Sequence, residues 1–286
     1  MHLRVAGFTF HVACADRSWP IAPAAAAASF LIDPAPADVE ITVRVGRCEK
    51  PTGAPLFDSG GPWRLFRTAD GYRFSFASPR SVDPYKIADF AADFSSGRIT
   101  LHEPFFAGRP AIDPLEYPLD ELLVISLLAR GRGIELHGCG ILDDQNGYVF
   151  VGQSGAGKST IARLWLDDER AVVLSDDRIV VRAQADGLWI YGTPWHGEAP
   201  LASPRRAPLK QIFLLRQLDR HALSVVSRSA AVARLFAASF PAFHDAAAVE
   251  FTLGFLDRTA ATVPVRELGF APTRTLVDFV RSAMAP

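Results

Sequence analysis

The stretch Gly152-Gln153-Ser154-Gly155-Ala156-Gly157-Lys158-Ser159 carries the strongest signal in this chain, because it matches the pattern G-x-x-x-x-G-K-[ST] at every defined position. It follows an apolar run at residues 148–151, typical of a buried strand, and precedes a helical pattern that ends near Leu166. Backbone N–H groups of such a loop curl around a phosphate chain, and the helix N-terminus adds its dipole. Because both flanks fit, a phosphate-binding loop is favoured over a glycine-rich turn without function.

The side chains that end this loop have the chemistry that a nucleoside triphosphate requires. Lys158 is predicted to bridge the β- and γ-phosphates, and the Ser159 hydroxyl is predicted to ligate Mg²⁺. Thr160 either faces the nucleotide or caps the helix. The predicted cofactors are ATP and Mg²⁺, and the predicted nucleotide-binding residues are Gly152, Gln153, Ser154, Gly155, Ala156, Gly157, Lys158, Ser159 and Thr160.

Two adjacent carboxylates follow the next apolar run. Residues 171–174 lead through Ser175 into Asp176 and Asp177, at the end of a strand that we expect beside the loop's own strand. One carboxylate is expected to hold the Mg²⁺ shell, and the other is a candidate to accept a hydroxyl proton. The alternative is that one of the pair caps a turn.

His137 lies on an apolar strand upstream of the loop, in Leu136-His137-Gly138. From the residues alone it is either a core histidine or a catalytic one.

Further site candidates lie downstream of the acidic pair. In the segment Thr193-Pro194-Trp195-His196-Gly197-Glu198, Glu198 is a candidate for the metal shell and His196 for a contact to phosphate or acceptor; the alternative is a packing loop anchored by its tryptophan. Arg205 and Arg206 either neutralise a transferring phosphoryl group or form a solvated basic patch. Arg178 is a candidate phosphate contact or an ion-pair partner of the acidic pair.

Composition narrows the classes of partner. Lysine and arginine total 30 against 31 aspartate and glutamate, so no overall charge favours nucleic acid or an anionic membrane. The three cysteines are widely spaced and odd in number, which fits a reducing compartment, and the apolar runs are too short to span a bilayer. We therefore expect a cytoplasmic protein.

The chain divides into two regions of different pattern. Residues 1–116 are β-rich: residues 39–45 alternate apolar and polar, and Asp70-Gly71 is a hairpin signal. A helix is predicted at residues 119–130, and strands then alternate with helices, as in an α/β nucleotide domain. The predicted domains are residues 1–116, β-rich, and residues 117–286, containing the phosphate loop.

Together these residues resemble the HPr kinase/phosphorylase family. His137-Gly138, the loop Gly152-Gln153-Ser154-Gly155-Ala156-Gly157-Lys158-Ser159 and Asp176-Asp177-Arg178 match its strand histidine, phosphate loop and aspartate pair, over residues 134–181. The resemblance implies a P-loop nucleotide domain of HPr kinase or phosphoenolpyruvate-carboxykinase type and phosphate transfer to a serine hydroxyl. It also implies that Asp177 accepts the proton, that Asp176 belongs to the metal shell, and that His137 lies close to both.

The chain departs from that family in one respect. The Glu-x-Arg-Gly core of the family signature is not found, and residues 191–198 stand in its place. The chain is therefore more similar to the smaller HPr-kinase-like proteins, such as the kinases of lasso-peptide precursors, and HPr is not the expected substrate. The resemblance implies a peptide or protein partner with an acceptor serine, and makes self-association reasonable.

Two other functions use the same residues. One is a kinase for a small hydroxyl compound, and the other is a nucleotide-dependent ATPase or switch. Neither the guanine-reading Asn-Lys-x-Asp pattern nor the Leu-Ser-Gly-Gly pattern of transporter ATPases occurs in the chain. Both absences weaken the interpretation as an ATPase or switch.

Overall fold

The computed structural model of the chain describes residues 1–284 and is a mixed α/β structure with two large sheets. It divides into two compact units, and the second begins at Leu128. The sequence pattern predicts a boundary after residue 116. By its contacts, the helix that follows this point belongs mainly to the first unit.

The first unit is built on an eight-stranded sheet in the order β1-β2-β3-β8-β7-β6-β5-β4. Its strands are β1 (His2–Val5), β2 (Phe8–Cys14), β3 (Val39–Gly46), β4 (Phe57–Asp58), β5 (Trp63–Arg67), β6 (Gly71–Phe76), β7 (Lys86–Ala91) and β8 (Ser96–His102). Its helices are a 3-10 helix (Ala25–Phe30), α1 (Glu103–Phe106) and α2 (Leu119–Leu128).

Period-two patterning in this unit is confirmed. Along β3, Val39, Ile41 and Val43 are buried, whereas Glu40 and Thr42 are exposed. The predicted hairpin is also confirmed, with β5 and β6 paired antiparallel. These elements were predictable because alternation and turn chemistry are local signals.

The second unit contains the phosphate loop. Its strands are β9 (Ile134–Asp143), β10 (Asn146–Val151), β11 (Ala171–Ser175), β12 (Arg178–Gln184), β13 (Gly187–Tyr191), β14 (Arg206–Gln217), β15 (Ala222–Val225) and β16 (Val265–Phe270). Its helices are α3 (Lys158–Leu166), α4 (Arg228–Ala237), α5 (Ala246–Thr262) and α6 (Thr275–Met284).

Two long strands of the second sheet, β9 and β14, each pair with different strands along their length. The first half of β9 pairs with β12, and its second half pairs with β10 and β11. Likewise β14 begins beside β13 and continues between β10 and β16. The pairings of β10, β9, β12, β13 and β14 therefore form a closed ring, with β11 paired to β9 and with β16 and β15 extending from β14.

The sequence pattern predicts that the strand leading into Asp176 lies beside the loop's own strand, and this prediction is wrong. The strand β11, which leads into Asp176, does not lie beside the loop's strand β10, because β9 lies between them. Both strands run antiparallel to β9 and therefore parallel to each other. Their carboxyl ends consequently lie at the same edge, which still brings the loop and the acidic pair together.

The helix α3 covers one face of this sheet. Trp165 is fully buried and packs near Phe150 and Tyr148, in a cluster that also includes Phe213 and Leu276. A tryptophan of this size contributes a large share of the apolar area removed from water.

Arg281 links three elements around this cluster. Its guanidinium donates to both carboxylate oxygens of the nearly buried Asp143, donates to Asp168 at 2.6 Å, and lies 5.2 Å from the Trp165 ring centre. Removing one partner of a buried ion pair leaves the other charge uncompensated. Arg281→Met is therefore expected to lower the free energy of unfolding by about 3–5 kcal/mol, measured by urea denaturation.

Arg228 provides a matched control, because its ion pair with Asp257 is about half exposed on both sides. Arg228→Met is expected to cost less than about 1 kcal/mol. Equal losses of unfolding free energy in the two variants would contradict the assignment of Arg281 to a buried ion pair.

Candidate functional site

The phosphate loop connects the end of β10 to the first residue of α3. Gly155 and Gly157 have φ angles of +79° and +101°, a region that L side chains rarely adopt. A Cβ atom at Gly157 would also lie 2.6 Å from the Phe270 ring of β16. Gly157 is the N-cap of α3, so Thr160 lies inside the helix and does not cap it. A contact between Thr160 and the nucleotide remains a prediction.

Lys158 is buried at the start of α3, although lysine is rarely buried without partners. Its ammonium donates to the backbone carbonyls of Gly152 at 3.0 Å and Gln153 at 3.3 Å. Burial lowers the pKa of this ammonium, and the charge of Asp177 acts in the opposite direction. The lysine thus folds back across the loop that it follows.

Asp176 is fully buried and has three donors around its carboxylate. The Ser159 hydroxyl donates at 3.3 Å, and the backbone N–H groups of Gly197 and Ala199 donate at 2.8 and 3.1 Å. Because a buried carboxylate is costly unless it is hydrogen-bonded, these bonds fix Asp176 beside the first turn of α3. They also hold the loop at residues 197–199 against the site.

Asp177 faces a different set of groups from its neighbour. One carboxylate oxygen lies 2.9 Å from His137 Nε2, and the other accepts from the Arg178 guanidinium. Burial acts to raise the pKa of Asp177, but the His137 hydrogen bond and the charges of Arg178, His137 and Lys158 outweigh it. The pKa therefore lies below its ordinary value, and the group is ionised at neutral pH.

Behind this carboxylate lies a residue that the sequence analysis missed. Glu135 is fully buried two positions before His137 on β9, and its carboxylate lies 3.6 Å from the Arg178 guanidinium. Arg178 also lies 4.2 Å above the Phe240 ring. An acidic residue at strand spacing from the histidine was the available signal, because such residues share one face of a strand.

The downstream candidates lie in two different surroundings. In the segment at residues 193–198, Trp195 is buried and its carbonyl accepts from Ser175, whereas the side chains of His196 and Glu198 are exposed. Its backbone at Gly197 is what contacts the acidic pair.

Arg205 and Arg206 are both exposed, and Arg206 contacts aromatic residues of β13. The Arg206 guanidinium lies 4.8 Å from the Trp189 ring centre and donates to the Tyr191 hydroxyl at 3.3 Å. Arg206 thus stacks on β13, because its strand pairs with β13 at this point.

A cleft of about 610 Å³ opens beside the loop, within the size range of small-molecule sites. One wall is the loop itself and another is the end of α4. Its lining residues are His137, Val151, Gly152, Gln153, Ser154, Gly155, Ala156, Leu214, Leu215, Arg234, Ala237 and Ala238.

The residues fit a magnesium ion that is bound together with nucleotide. Within residues 1–284, no group of three or more His, Cys, Asp or Glu side chains is arranged to hold a metal by itself. Mg²⁺ bound with nucleotides needs only one or two protein ligands, because phosphates and water supply the rest. The Ser159 hydroxyl and the Asp176 carboxylate, 3.3 Å apart, are suitable oxygen groups.

No protein-family model matches the chain, and no curated protein matches it at a significant level. Among the described residues, no helix is long and apolar enough to cross a membrane.

Proposed function

We propose that this chain is an ATP- and Mg²⁺-dependent kinase that transfers the γ-phosphate to a serine hydroxyl of a peptide or protein, on a nucleotide domain of HPr kinase or phosphoenolpyruvate-carboxykinase type. The observation that carries the proposal is the division between two adjacent carboxylates. Asp176 is bound to Ser159 at the start of α3, and Asp177 is bound to His137. Such a division supports one metal-shell carboxylate and one proton acceptor.

The roles of the chain's own groups follow from this arrangement. The loop N–H groups and Lys158 would hold the phosphates, and Ser159 and Asp176 would hold Mg²⁺, which neutralises phosphate charge when bound. Asp177 would accept the serine proton as the serine oxygen bonds to the γ-phosphorus. The bond from that phosphorus to the β–γ bridging oxygen breaks, so the products are phosphoserine, ADP and a proton on Asp177.

His137 would act on this step through the carboxylate rather than on the substrate. Its ring donates to one oxygen of Asp177 while Arg178 donates to the other. Held from both sides, the carboxylate loses little orientational freedom when an acceptor arrives, which favours a productive geometry.

The proposal is tested by incubating the protein with γ-³²P-labelled ATP, Mg²⁺ and a library of serine-containing peptides. We expect label on serine peptides, none on matched peptides with alanine at that position, and none when EDTA removes Mg²⁺. Mass spectrometry of the labelled peptides identifies the acceptor. Label only on small alcohols would support a small-molecule kinase, and phosphate release to water alone would support an ATPase; either result would overturn the peptide assignment.

A further inference from the structure

Arg234 places a positive charge in the cleft beside the phosphate loop. It lies on α4, far along the chain from the loop, and lines the same cleft as His137 and Gly152. Of the described residues that line this cleft, it is the one lysine or arginine. Its side chain is 39% exposed, so a solute in the cleft can reach it.

The guanidinium of Arg234 is held in place by a second charged group. Glu267 on β16 accepts from Arg234 at 2.6 Å and from Arg216 at 3.4 Å. The Arg234 hydrogen bond lowers the pKa of Glu267, so this carboxylate is ionised at neutral pH. Two arginines around one carboxylate leave a net positive charge.

Arg234 also has N–H donors that its hydrogen bond to Glu267 does not use. A guanidinium has five N–H donors in a fixed planar arrangement, and the hydrogen bond to Glu267 uses one nitrogen. Ala237 and Ala238, three and four residues further on, lie on the same helical face and also line the cleft. Their small side chains leave room next to the guanidinium.

We propose that Arg234 binds the γ-phosphoryl group of ATP and stabilises the charge on its oxygens during transfer. This inference rests on the proposed function. Phosphoryl transfer requires cations at the transferring group, and an arginine is suited to it because its donors match the spacing of phosphate oxygens. Arg206, one of the sequence-based candidates for this role, packs on Trp189 and Tyr191.

The experiment compares the affinities for Mg·ATP and Mg·ADP by calorimetry, which requires no acceptor. Arg234→Met is expected to weaken ATP binding about tenfold or more, as for loss of a charge-assisted hydrogen bond, and to leave ADP binding within about twofold. Arg234→Lys keeps the charge and is expected to lose less ATP affinity. Arg228→Met, on the same helix and in an exposed ion pair with Asp257, is the matched control and should bind both nucleotides as the wild type does.

The possible outcomes separate the two proposals. Equal loss of ATP and ADP affinity in Arg234→Met, or no loss of either, would overturn the assignment to the γ-phosphoryl group while the kinase proposal stands. If Arg234→Met fails to fold, the ATP-to-ADP affinity ratio of Arg234→Lys carries the test, and an unchanged ratio overturns the assignment. A wild-type protein that binds neither nucleotide would overturn both proposals.

Discussion

Asp177→Asn is expected to remove nearly all phosphate transfer while leaving ATP affinity within a few-fold of wild type. Asparagine keeps the size of the side chain and can still bond to His137, but it cannot accept the serine proton. General-base catalysis contributes about 10²–10⁴-fold, so we expect a loss of that order in kcat. The measurement is single-turnover transfer of labelled phosphate to the acceptor peptide, with ATP affinity measured in parallel.

Asp176→Asn is the matched control, because it makes the same chemical change one residue earlier. Asp176 is bound to Ser159 and to the backbone at Gly197 and Ala199. Its loss should raise the Mg²⁺ concentration needed for activity, and added Mg²⁺ should restore part of the rate. The same addition should leave Asp177→Asn inactive. Normal transfer by Asp177→Asn would remove the assignment of Asp177 as the base.

Lys158→Ala is expected to reduce transfer by about 10²–10³-fold, the range found when one preorganised donor to a developing charge is removed. Unlike Asp177→Asn, it should also weaken ATP binding. The ammonium is buried and donates to the carbonyls of Gly152 and Gln153, so its removal also leaves these loop carbonyls without that donor. Transfer rate and ATP affinity are measured at several ATP concentrations.

The control for this variant is Lys210→Ala, because Lys210 is an exposed lysine on β14 of the same unit. It should transfer phosphate at the wild-type rate. Normal turnover by Lys158→Ala would rule out the nucleotide site on which the proposed function depends.

Much of the second unit could be predicted because its signals are local. The strands β10 and β11 agree to within two residues with the segments predicted at residues 148–151 and 171–174, and the helix α3 ends at the predicted position, Leu166. Each combines an apolar pattern with a clear boundary, such as the glycines of the phosphate loop between β10 and α3.

Other elements were missed because their stability depends on distant partners. The helix α5 contains Gly254 and several threonines, which lower helix propensity, yet it forms with Asp245 as its N-cap and buries Phe255 and Leu256. The strand β16 pairs in parallel with β14, which is about fifty residues earlier in the chain. Because β16 was not predicted, two of its contacts were not predicted either. The Phe270 ring lies against the phosphate loop, and Glu267 accepts a hydrogen bond from Arg234.

Local patterns in the chain were sufficient to locate the phosphate loop, the acidic pair and the strands that carry them. Motif spacing and apolar periodicity can be read from neighbouring residues alone. Packing alone assigns different partners to Asp176 and Asp177, places β9 between their strand and the loop, and brings Glu135 and Arg234 to the site. These contacts join residues far apart in the chain. Their distances are set by strand order and helix position, which depend on the burial of the whole core.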